Sequence, residues 1–390
     1  MRILIYNWRD IAHPNAGGAE VYTDRVASEW VKLGHEVTLF ASAVDGQPEV
    51  DVVVGGYRVV RRGSRHGVYR EARKFWVREG RGNFDLVVDE VNTRPFGCPR
   101  YVKEAPVIAL IHQVCQEIWG YETRWPISWF GRHLLEPYWL SRYRSVPVVT
   151  VSESSKDSLL AYGLRDVTIV PEGSALCGAS VARPTKEAEP TLVFVGRLSP
   201  NKRPGDAIEV HRSLSRRIPN LKLWMIGSGP EEARLKAKAA AGVTFYGRCD
   251  EATKKTLVAR AHILLATSVR EGWGLVVTEA AEVGTIACAY DVPGLRESVL
   301  SSGGLLSGES ASALANVARA ALVRVIREGV RPSVGGVISW EEVSQRILSV
   351  ALDRTPEYDA NVASWLGAVS GEAPNWAEPG LRNRFRTGDV

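Results

Sequence analysis

Apolar positions along this chain follow two alternating periods. Short unbroken runs of aliphatic and β-branched residues appear first as "RILIYN", then as "HEVTLFAS", "FDLVVDE", "PVIALIH" and "VPVVTVS". Between them lie stretches such as "GGAEVYTDRVASEWVKLG", where apolar residues recur every three or four positions. The runs read as strands buried on both faces, and the periodic stretches as amphipathic helices. Such βα repetition predicts a mostly parallel sheet with helices on both faces. The pattern stops over residues 174–190, where small residues, prolines and charges mark a linker. It resumes at "TLVFVG" and continues through "KLWMIGSG", "VTFYGR", "HILLAT" and "TIACAY". Two Rossmann-like βα units are therefore predicted, at residues 1–173 and 191–355, with a last helix at "SWEEVSQRILSVALD". Residues 356–390, rich in Gly, Pro and Arg and without a clear period, are expected to pack as a tail on the first unit.

Bulk properties narrow this picture without changing it. A chain of 390 residues has room for two cores. With 45% hydrophobic and 24% charged residues, it has the composition of an ordered globular protein. A net charge of +5 admits a small anionic partner and gives no sign of nucleic acid binding. The cysteines Cys98, Cys115, Cys177, Cys249 and Cys288 are far apart and form no CxxC pair. That spacing points to reduced thiols in a cytoplasmic protein and away from a disulfide frame or zinc site. The apolar start before Asn7 is too short for a signal peptide. No apolar run approaches the roughly 18 residues of a membrane span, so any membrane contact is expected to be peripheral, on the inner face.

Sheets of this kind place ligands beyond the carboxyl ends of their strands, so two facing units enclose a cleft lined by strand exits. The stretch "REGWGLVVTE" begins at such an exit, with Glu271 and Glu279 at either end of a glycine turn and a helix start. Gly272 and Gly274 let the backbone approach a ligand, and the amides of Gly274 and Leu275 can face an anion. Glu279 repels phosphate and suits hydroxyls, while Glu271 reaches a separate point. A ligand anionic in the middle and polyhydroxylated at both ends, such as a nucleotide-sugar, fits this spacing; a helix cap plus a surface acid fits it equally. "VFVGRLSPNKRP" adds Arg197 and Lys202 after another strand, a planar fork and a point charge suited to phosphate oxygens. Gly17 and Gly18 in "NAGGAEVYT" open the first helix without GxGxxG spacing.

"GGAE", "GRLSPNKRP", the E-x7-E element "EGWGLVVTE" and "DVPGLRES" together resemble retaining glycosyltransferases of family 4, which have the GT-B fold. The resemblance runs from residue 1 to about 355. It implies two Rossmann-like units facing across a cleft, with a C-terminal helix returning to the N-terminal unit. It also implies that Arg197 and Lys202 hold the donor diphosphate and that Gly274, Leu275 and Gly18 add backbone contacts. Glu279 would bind ribose, and Glu271 the donor hexose. His112, at the end of "PVIALIH", matches a histidine that approaches the transferred sugar; read from the residues alone, a histidine there is more often structural. Glu172 in "VPEGS" stands where the family often has asparagine. The implied reaction moves a hexose from a nucleoside-diphosphate sugar to a hydroxyl acceptor with retention. With no D-x-D and no His/Cys cluster, neither a metal nor another cofactor is expected.

Acceptor signals are sparser. Asp89, Glu90 and Asn92 follow the strand "FDLVV" and can bind acceptor hydroxyls or merely cap the next helix. Residues 66–81 put Arg70, Lys74, Arg78 and Arg81 along one helical face, and 118–144 mix Trp119, Trp125, Trp129 and Trp139 with arginines. Both segments suit an anionic membrane surface that presents a lipid-linked or cell-envelope glycan acceptor. Alternatively, the arginines are a solvated face and the tryptophans line the core or the acceptor pocket. A sugar-nucleotide epimerase or a non-catalytic sugar-nucleotide-binding protein would share the architecture. A dehydrogenase would need GxGxxG after a strand, and none occurs.

Overall fold

The computed structural model describes residues 1–174, 185–332 and 338–352. The first sheet holds β1 (Arg2–Tyr6), β2 (Glu36–Ala41), β3 (Val50–Val52), β4 (Arg58–Arg61), β5 (Leu86–Glu90), β6 (Val107–Leu110), β7 (Val148–Thr150) and β8 (Val167–Ile169). Its order is β3-β4-β2-β1-β5-β6-β7-β8, parallel throughout except that β3 runs against β4. The second sheet holds β9 (Thr191–Val195), β10 (Lys222–Ile226), β11 (Val243–Gly247), β12 (Ile263–Ala266), β13 (Ile286–Tyr290) and β14 (Leu305–Ser307). It is fully parallel in the order β11-β10-β9-β12-β13-β14.

Each sheet starts in its middle, winds outward one way, and then crosses back to wind the other. The direction reverses between β1 and β5 and again between β9 and β12. Ligands bind at such switch points, where neighbouring strand exits diverge. The central strands are apolar because both faces are covered; β5 is buried at every position. The strands β3, β8 and β14 escape the apolar-run reading because few of their positions are buried, and β4 escapes it because only two apolar residues lie between its arginines. Edge strand β3 leaves Val52 67% exposed.

The helix Gly18–Lys32 buries Tyr22, Val26 and Trp30 at a four-residue spacing against the first sheet. The same core takes in Trp340, Val343, Ile347 and Leu348 of the helix Trp340–Leu352. The Trp30 indole N–H donates to Ser344 O at 2.9 Å. The C-terminal helix thus returns to the N-terminal unit. This corrects the boundary at 355, because the helix numbered with the second unit completes the core of the first. Most of the 174–190 linker and the whole 356–390 tail lie outside the described residues. Among the described residues, no helix is long and apolar enough to cross a membrane.

Candidate active site

The second unit presents its chemistry at its switch point. After β9 the chain passes Arg197 and makes a single tight turn, Pro200–Lys202. The segment leaving β12 stitches this turn in place. Thr267 Oγ1 lies 2.8 Å from Lys202 O and 3.0 Å from Arg203 O, and Val269 N–H donates to Asn201 O at 3.0 Å. The stitching brings the Lys202 ammonium onto the Glu271 carboxylate, which also accepts from Ser268 Oγ at 2.6 Å. Lys202 is therefore not the independent cation that its spacing suggests. Arg197 is exposed, and its guanidinium has no polar partner among the described residues.

Beyond Glu271 the glycine turn points Trp273 and Leu275 out of the second unit and against the core of the first. Gly274 sits at φ +92°, a left-handed conformation, and a Cβ there would come 2.8 Å from Leu295 Cδ2. Glycine is the residue that fits. Helix Leu275–Glu282 starts immediately after, leaving its first N–H groups without intrahelical partners. Directly opposite is Gly18 at the start of the first helix; a Cβ on it would lie 3.6 Å from Leu275 Cδ1. Two helix N-termini, one from each unit, thus face each other across the cleft. Glu279 is part-exposed and takes a bond from Lys254 Nζ at 3.0 Å.

In the first unit Gly17 is exposed, and its N–H donates to Glu20 Oε2 at 2.6 Å, with Arg9 Nε holding the other oxygen at 2.7 Å. His112 follows β6, and its backbone carbonyl would lie 2.8 Å from a Cβ on Gly272, so the two units touch there. Its Nε2 lies 3.5 Å from Glu90 Oε1 and its Nδ1 3.9 Å from Glu172 Oε1. Burial pushes Glu90 above the usual carboxylate range, with His112 and Thr23 acting against it. Burial, then the carboxylates of Glu271 and Glu279, push Glu172 well above that range, and Lys202 opposes them.

Glu90 is 1% exposed, beneath His112 and in contact with Thr23 Oγ1, which corrects its assignment to acceptor hydroxyls. Asp89 is likewise occupied, accepting from Phe96 N–H at 3.2 Å, Cys98 N–H at 3.0 Å and the Tyr143 hydroxyl. Asn92 donates to Asn7 Oδ1 at 2.8 Å. The basic segment buries Val68, Ala72, Phe75 and Trp76, while Arg70, Arg73, Lys74 and Arg78 line a shallow groove with Val77. The four tryptophans divide. Trp119 is half-buried, its indole N–H on Glu136 Oε2 at 3.2 Å, and Trp139 stands near it; Trp125 and Trp129 are exposed.

Several polar ties between the units escape sequence reasoning. Buried Arg270 donates from Nε to Glu117 Oε1 at 2.7 Å and from Nη2 to Gln116 Oε1 at 2.9 Å. Glu297 accepts from Ser154 N–H at 2.7 Å and from its own Gly294 N–H at 3.1 Å, so one carboxylate caps a helix in each unit. Arg248 reaches Pro14 O. A charged residue beside the E-x7-E element was the one available signal, and it does not name a partner more than a hundred residues away.

Known proteins resemble this chain in both units. The model "Glycosyltransferase Family 4" matches residues 16–174, and "Glycosyl transferases group 1" matches residues 180–322. Glycogen synthase of Mycobacterium tuberculosis is 25% identical over 340 residues, spanning 77% of this chain and 80% of the relative. The same organism's GDP-mannose-dependent alpha-(1-6)-phosphatidylinositol dimannoside mannosyltransferase is 24% identical over 364 residues, spanning 86% and 92%. Sucrose-phosphate synthase from Thermosynechococcus elongatus shares the fold, with a TM-score of 0.67 at 19% identity over 95% of this chain and 100% of that one. One family model falls on each unit and the two-sheet architecture is shared almost end to end: the chain belongs to the family 4 glycosyltransferases of the GT-B fold.

Proposed function

We propose that this transferase moves a hexose from a nucleoside-diphosphate sugar, with retention of configuration, to a hydroxyl of a lipid-linked or cell-envelope glycan intermediate. The observation that carries the reading is the meeting of Gly18 and Leu275 across the cleft, beside the Lys202–Glu271 pair. A diphosphate fits between these helix starts, where N–H dipoles from both units face it. Arg197 and Lys202 supply charge. An ammonium has three N–H donors, so Lys202 can keep Glu271 and still reach a phosphate oxygen. Glu279 receives ribose hydroxyls, and Glu271 and His112 lie toward the hexose.

The reaction proceeds on one face of the sugar. The bond to the diphosphate lengthens first, and negative charge grows on the leaving oxygen, where preorganised cations and amides lower its energy. That oxygen then accepts the proton of the incoming acceptor hydroxyl as the new glycosidic bond forms. No step is routed through a metal. Contact between the units shields the developing oxocarbenium from water.

A thermal-shift screen across nucleotide-sugars tests the donor reading. A ligand at 100 times its dissociation constant adds about 2.7 kcal/mol of stability. A flat response across the panel overturns the assignment.

The acceptor reading is supported by an exposed apolar surface on residues 125–138, including Trp125, Ile127, Trp129, Phe130, Leu134 and Tyr138, with Trp125 81% exposed. Arg124 and Arg132 stand among them, and helix Ile118–Glu122 at the root of this surface lies against the Pro200–Lys202 turn. Aromatic and arginine side chains suit a headgroup layer. The protein is expected to float with anionic liposomes and to lose binding when Arg70, Lys74 and Arg78 are replaced by Ala. Flotation equal with neutral liposomes, or unaffected by these changes, removes the membrane from the reading.

A further inference from the structure

His112 is bracketed by two buried acids whose polar atoms are not used up within the protein. Tyr22 holds the imidazole edge to face, with ring centroids 4.7 Å apart and planes at 87°. Neither ring nitrogen makes a hydrogen bond, nor do Glu90 Oε1 and Glu172 Oε2, although all these atoms are buried. Buried polar atoms are normally paired, and each exception calls for a reason. Glu172 follows β8, its side chain 6% exposed, on the side of the ring opposite Glu90.

We propose that Glu172 is a positioning residue for His112: with Glu90 it brackets the imidazole, and whether Glu172 carries a proton decides which ring nitrogen carries one. Any consequence for a donor hexose rests on reading the cleft as the donor site; the bracketing of the ring does not. When Glu172 is neutral, its O–H meets Nδ1 and the ring's Nε2–H faces Glu90. When Glu172 is ionised, Nδ1 carries the proton and faces it instead. The groups that bias this choice are Glu90 at the end of β5, Tyr22 on the first helix, and Lys202, Glu271 and Glu279 of the second unit. The two second-unit carboxylates disfavour charge on Glu172, and Lys202 favours it. Donor binding at Lys202 therefore changes the balance at His112.

The test is a pH titration of the imidazole resonances in full-length protein labelled with 15N-histidine, with His112 assigned from its loss in His112→Asn. In Glu172→Gln, whose side chain does not titrate, the split between the His112 Nδ1 and Nε2 shifts is expected to differ from the parent's and to stop following the ionisation of Glu172. Glu172→Asn is expected to act in the same direction and serves if the glutamine variant does not fold. An unchanged split between the His112 Nδ1 and Nε2 shifts in a folded variant overturns the proposal. The titration needs no donor, so a chain that binds no nucleotide-sugar refutes the donor reading and leaves this result standing.

Discussion

At the scale of single residues, the decisive feature is that Lys202 is paired before any donor arrives. Ser268 and Lys202 both converge on Glu271, so the ammonium is held at one point by a bond that a surface lysine would lack. A preorganised charge stabilises a leaving group without reorganising during the reaction. Lys202→Ala is expected to lower turnover about 10²–10³-fold, the scale for losing one such group. Steady-state rates with the donor found by thermal shift measure this. Near-normal turnover would remove Lys202 from the chemistry. Arg197 and the two glutamates of E-x7-E stand out in the sequence as candidates because their residue types suit phosphate and hydroxyls. Their partners were not: Lys202 and Glu271 are 69 positions apart, and only the stitched turn brings them together.

At the scale of elements, a histidine ties two neighbouring strands. His262, just before β12, accepts the N–H of Thr191, the first residue of β9, at Nδ1 over 3.1 Å. Burial, then the charges of Lys186 and Arg331, hold its pKa down at about 4. Unfolded histidine titrates near 6.5, so the folded state binds this proton less readily than the unfolded chain. The associated stability is full above about pH 6.5 and is lost as the pH falls through about 4. At about 1.4 kcal/mol per unit, the loss is at most about 3 kcal/mol. His262→Asn keeps an acceptor near Nδ1 and cannot titrate, so its urea midpoint should fall less steeply than the parent's between pH 7 and 4. Parallel slopes would show that His262 plays no such part. Protonation puts a hydrogen on the very nitrogen that receives the strand's N–H, which is the physical reason for the sign.

At the scale of the whole molecule, several polar ties join the two units: Arg270 with Glu117 and Gln116, Glu297 with Ser154, and Arg248 with Pro14. Polar interfaces within a chain favour relative motion of the units. The Arg270→Ala/Glu297→Gln double variant is expected to open the cleft. Small-angle scattering should show a larger radius of gyration, and donor affinity should fall while far-UV circular dichroism stays the same. An unchanged scattering profile would mean that Trp273 and Leu275, packed against the first core, hold the units together unaided.

The amino-acid sequence alone determined the two βα units, because apolar runs and helical periods are local consequences of which faces are buried. It also determined the chemical repertoire at the strand exits, because charge and hydrogen-bonding capacity belong to the side chain wherever it lies. Tertiary structure decided the rest. The helix Trp340–Leu352 joins the first core, Glu90 withdraws beneath His112, and Glu297 caps helices in both units. These outcomes depend on contacts between residues far apart in the chain, for which no local period carries a signal.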